Sequence, residues 1–62
     1  MPSPAELSSL VTAIEELESR VTAAADELSG GPSDDTAVDL YDVERALRSA
    51  RRRLSKVVAT LR

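Results

Sequence analysis

Leu7, Leu10, Ile14, Leu17, Val21, Ala24 and Leu28 follow one another at alternating steps of three and four. That spacing is the a/d repeat of a heptad-patterned helix. A second set, Leu40, Val43, Leu47, Ala50, Leu54, Val57 and Leu61, keeps the same rule without exception. Between the two sets the stretch SGGPSDDT interrupts the pattern. Gly30 suits the left-handed position that follows a helix end, and Pro32 cannot continue a helix. The pattern therefore predicts a single all-α unit over residues 1–62: helix 1 at about 4–29, a loop at 30–35, and helix 2 at about 36–61. Ser3, Pro4 and Glu6 form the start signal of helix 1, an S-x-x-E capping box with proline at the first helical position. Thr36 and Asp39 supply a weaker version for helix 2.

A connection this short makes the two helices antiparallel neighbours. The fold class expected is a coiled-coil-like helical hairpin. Its seam is assigned to Leu10, Ile14, Leu17, Val21, Leu28, Val43, Leu47, Leu54, Val57 and Leu61. Pairing Leu28 with Val43 sets the register. Ala24 then meets Leu47, Val21 meets Ala50, Leu17 meets Leu54, Ile14 meets Val57 and Leu10 meets Leu61. Large residues fall opposite small ones in several of these layers, as interdigitated packing prefers. In the same register Val11 faces Val58, and Glu18 faces Arg51.

Three further apolar residues, Val11, Ala25 and Val58, widen the stripe on one flank. A stripe of three positions per heptad suits a bundle better than an isolated pair. These three are the expected dimer flank, and a homodimer in the form of an antiparallel four-helix bundle is the expected assembly. A lone hairpin with a partly apolar surface is the alternative. Size favours association. A chain of 62 residues buries only about 60% of the surface its unfolded form exposes. The sequence has no cysteine, so no disulfide or thiolate metal site reinforces it.

The net charge is −3, but it is unevenly placed. Residues 1–29 carry six carboxylates against Arg20, a net of −5, whereas residues 40–62 carry seven cations against Asp42 and Glu44, a net of +5. The arginine-rich stretch RALRSARRRL, residues 45–54, places no cation at an a or d position. A solvated helix face is the plain reading of it. An acidic helix beside a basic one also favours antiparallel pairing, and cations in the C-terminal half complement the helix dipole.

Two functional readings use the same residues. Val38 and Tyr41 point away from the seam, beside Arg45 and Arg48, and an Arg–Tyr patch has the composition of an interface hot spot for a larger protein. Alternatively, Arg45, Arg48, Arg52 and Arg53, doubled in a dimer, could meet phosphates, with Tyr41 stacking on a base. In size and topology the chain resembles the Rop-type helical-hairpin dimers that bind RNA. No residue is matched by that resemblance, so no site is carried over. The overall acidity disfavours a nucleic-acid reading.

The chemistry of catalysis is missing from the pattern. There is no histidine, no Gly-Lys-Ser/Thr phosphate loop and no Ser-x-x-Lys motif to activate Ser8, Ser9, Ser19 or Ser49. Asp35, Asp39 and Asp42 share one helical face, but they lack the spacing of a calcium loop and compensate the helix dipole. The chain is expected to be non-enzymatic, without catalytic residues, cofactor or metal. No apolar run approaches a membrane span, and MPSPAEL lacks the features of a signal peptide. A cytoplasmic protein–protein interaction module that associates first with itself, with a larger protein as the second expected partner, is the reading these features support.

Overall fold

The computed structural model describes all of residues 1–62. It holds two helices and no strand: α1, Pro4–Leu28, and α2, Asp34–Leu61, packed against each other. The hairpin measures 47 × 14 × 14 Å.

Each end of α1 is set by local chemistry. The Ser3 hydroxyl accepts the Glu6 amide at 3.1 Å, and Pro4 opens the first turn. Such a cap stabilises a helix by about 1 kcal/mol. At the other end Gly30 adopts φ +77°. A Cβ there would meet no atom within 4 Å, so the demand for glycine is one of backbone conformation rather than space. The Gly30 amide donates to the Asp34 carboxylate at 2.7 Å. This contact ties the loop to the start of α2.

The second helix begins at Asp34, two residues before the position expected, and Thr36 lies inside its first turn. Ser33 stands at the cap without a side-chain hydrogen bond. The Ala37 amide donates to the Ser33 carbonyl at 3.1 Å, which fixes the earlier start. Asp34 and Asp35 in the first turn suit the positive end of the helix dipole.

The register agrees with the level pairs Glu18–Arg51 and Val11–Val58: the first pair is in contact, and the second lines one cleft. The faces are arranged differently from the expectation. The helices close on each other along a and e positions. Ala25 and Ala37 are fully enclosed, and Val58 is buried. Val11, Ile14, Val21, Leu28, Leu40, Leu47 and Leu54 are half-buried. Val11, Ala25 and Val58, assigned above to a dimer flank, thus sit inside the hairpin. Leu10, Leu17, Val43, Val57 and Leu61, assigned above to the hairpin seam, are exposed. The apolar arc spans d, a and e, and one helix–helix contact covers only part of so wide an arc. The e side wins for two reasons. Ala25 lets the backbones approach closely, and Glu18 and Arg51 pair from that side.

Candidate functional site

On each helix the d position lies about 100° away from e. With e turned to the neighbouring helix, the d residues of both helices fall on one side of the hairpin. This side carries Leu10, Leu17 and Ala24 from α1, and Val43, Ala50 and Val57 from α2. Leu10 is 52% exposed, Leu17 44%, Val43 45% and Val57 47%. The half-buried Ile14, Val21, Leu47 and Leu54 run along the middle of the same side. Together they form an apolar stripe more than two heptads long. At its edges stand the g residues Glu6, Ala13, Arg20, Glu27, Asp39, Ala46, Arg53 and Thr60, so the rim carries three carboxylates and two arginines. Isolated apolar residues on a surface are ordinary, whereas a contiguous stripe of this length marks an interaction surface.

The opposite side is closed by charge. Glu18 and Glu44 are the two buried polar residues, 9% and 8% exposed. Arg51 donates through Nε to Glu18 Oε2 at 2.6 Å, across the hairpin. Arg48 donates to both oxygens of Glu44, at 2.7 and 2.8 Å, and its Nε lies 4.0 Å from Glu18 Oε1. No buried side-chain polar atom is left without a partner. The hydrogen bond to Glu18 holds the Arg51 guanidinium more firmly protonated than an ordinary arginine. This network also marks the register. A slip of one heptad would set Glu18 level with Glu44 or with Val58, and either would leave a carboxylate unpaired at an interface.

The arginines of α2 therefore divide. Arg45 pairs with Asp42, Arg48 with Glu44, and Arg51 with Glu18. Arg52, Arg53, Lys56 and Arg62 pair with no carboxylate. The last turn of α2 carries no basic residue, so dipole compensation does not account for Arg52, Arg53 or Lys56, whereas Arg62 stands at the C-cap. Of the four arginines considered above as a phosphate surface, two are occupied by the chain's own carboxylates, and the other two stand on different heptad positions.

Tyr41 is occupied as well. Its hydroxyl donates to Asp26 Oδ1 at 2.5 Å, tying α2 to α1 near the loop. This hydrogen bond, and after it partial burial, raise the phenol above its ordinary 10.0. The ring is half-buried rather than offered to a base, and Val38 remains exposed on its own. Hence Val38 and Tyr41 do not form the joint patch expected.

Nowhere do three carboxylates converge closely enough to hold a metal ion. Nor is either helix long and apolar enough to cross a membrane. A shallow cleft of about 340 Å³ lies between the helices near the chain termini, lined by Val11 and Val58 with Ser8, Thr12, Ser55 and Arg62 among others. Thr12 already donates its hydroxyl to the Ser8 carbonyl. Arg62 is the only charged side chain there, so no side-chain base stands beside the Ser8, Thr12 and Ser55 hydroxyls.

Sequence reasoning passed over Ala37 and the burial of Glu18 and Glu44. The signal was the sevenfold spacing of residues 11, 18 and 25, and of 37, 44, 51 and 58. Charged members hid it, because carboxylates at a seam read as solvent-facing. No family model matches the chain, and no curated protein or solved structure is similar to it.

Proposed function

We propose that the protein is a non-enzymatic protein–protein interaction module, a small adaptor, docking or regulatory element whose working part is the open apolar side of the hairpin. One observation carries this reading: Leu10, Leu17, Val43 and Val57 lie on one side and each is about half exposed, while the other side is closed by ion pairs. Four large aliphatic side chains held in water forgo the stabilisation that burial would give, roughly 25 cal/mol for each Å² covered.

The chain has no cysteine, so single-cysteine variants report cleanly. In expressing cells Leu17→Cys and Val57→Cys should react with a maleimide markedly more slowly than Val38→Cys, which is similarly exposed in the hairpin but lies on another face. Equal reactivity of all three in cells would remove the open side from any interaction. Nucleic acid is not the expected occupant, because Arg45, Arg48 and Tyr41 are engaged within the chain. Gel retardation with mixed RNA and duplex DNA should show no salt-sensitive complex, and replacing Arg52, Arg53 and Lys56 with Gln should change nothing. A complex that these replacements abolish would reverse that order.

A further inference from the structure

We infer that the occupant of the open side is a second copy of this chain, and that the pair of hairpins, not the single hairpin, is the unit that folds. This inference rests on the interaction-module reading and names its partner.

The first argument is area. The hairpin exposes 4518 Å². A compact monomer of the same mass exposes about 3,900 Å². The excess of roughly 600 Å² per chain is of the size that each partner contributes to a stable protein–protein interface, about 800 Å². The second is the poverty of the core. Ala25, Ala37 and Val58 are its only buried apolar residues, and no large side chain is fully enclosed. Two alanines and a valine remove little apolar surface from water, and ordering some fifty helical residues is opposed by conformational entropy. Ile14, Val21, Leu47 and Leu54, half-buried in the hairpin, become a core only when the open side is covered.

The third argument selects the partner. Glu6, Glu27 and Asp39 against Arg20 and Arg53 give the rim charges of both signs and a net of only −1. A rim so nearly balanced does not call for a strongly acidic or basic partner, and it repels its own copy little. Leu10 and Leu17 are bulky, whereas Ala24, Ala46 and Ala50 leave room, so one such surface supplies both the projections and the space that its copy needs. The charged side, with Glu18, Glu44, Arg48 and Arg51 already satisfied, then faces water.

Sedimentation equilibrium of the purified chain across a hundredfold range of micromolar concentration should give twice the 6.6 kDa chain mass. Because dissociation and unfolding are then one event, each tenfold dilution should lower the Tm by roughly 5 °C. Leu17→Asp should lose the dimer and its helical signal together, while Val38→Asp keeps both. A wild-type mass of one chain, with a Tm indifferent to dilution, would overturn the inference. So would a trimer or larger ring. The labelling of Leu17→Cys in cells separates the two levels: protection in cells of a chain that is monomeric when pure leaves the interaction module standing with a different partner. Absence of protection removes both.

Discussion

The hydroxyl of Tyr41 is the most local of the contacts that fix this hairpin, and the easiest to read. It donates to Asp26 across the helices at 2.5 Å, and that bond is the main reason its phenol is held above the ordinary 10.0. The sign follows from which form the fold prefers. The neutral phenol is the donor, so the contact stabilises the folded state fully below the unfolded phenol value and is lost as pH rises through the higher folded value. The contact should therefore contribute in full at neutral pH, where stability does not vary with the Tyr41 titration, and the hairpin should weaken at strongly alkaline pH. Tyr41 is the only aromatic residue, so the ultraviolet phenolate signal belongs to it alone. Spectrophotometric titration should place its midpoint above 10.0 in the folded chain, and Asp26→Asn should bring it down. A midpoint unmoved by that substitution would mean that the bond does not hold in solution.

At the level of the helix, the decisive residues are the small ones. Ala25 and Ala37 are fully enclosed, and Ala25, level with Glu44, sets how closely α1 and α2 approach. Ala25→Leu would lower intrinsic helix propensity slightly and would force the axes apart. It should cost about 1–3 kcal/mol by overpacking, read from denaturant midpoints. A neutral or stabilising result would mean that the e side is looser than described. These alanines also explain what was legible in the sequence. Alternation of three and four located both helices, the loop, the antiparallel order and the level pair Glu18–Arg51. It did not say which edge of a d–a–e arc would face the neighbouring helix. Hydrophobicity favoured d, where Leu10, Leu17, Val43 and Val57 stand. Close approach favoured e, where alanine is small, where Glu18 pairs with Arg51 and where Glu44 is held by Arg48. Helix pairing is won by distance and satisfied charge together, and a reading that weighs apolar size alone places the seam on the wrong edge.

For the molecule as a whole, the same inversion changes what a core mutation should do. If the hairpin stood alone, Leu17, 44% exposed, would contribute little, and Leu17→Ala would resemble a surface change of within about 0.5 kcal/mol. In the paired hairpins Leu17 enters an interior, and truncating it should cost about 2–5 kcal/mol per chain, as buried leucines do. Val38 is similarly exposed but faces away from the open side, so Val38→Ala should stay near zero in either case. Denaturant unfolding of both variants at high and low protein concentration separates the two situations. A large Leu17→Ala effect beside a negligible Val38→Ala effect, with the wild-type midpoint falling on dilution, follows only if the open side is buried in the state that unfolds. Two small and equal effects would make the hairpin a monomer with an idle apolar side. The exposure of Leu10, Leu17, Val43 and Val57 is thus a property of one chain taken alone, and their energetic role is set by what lies against them.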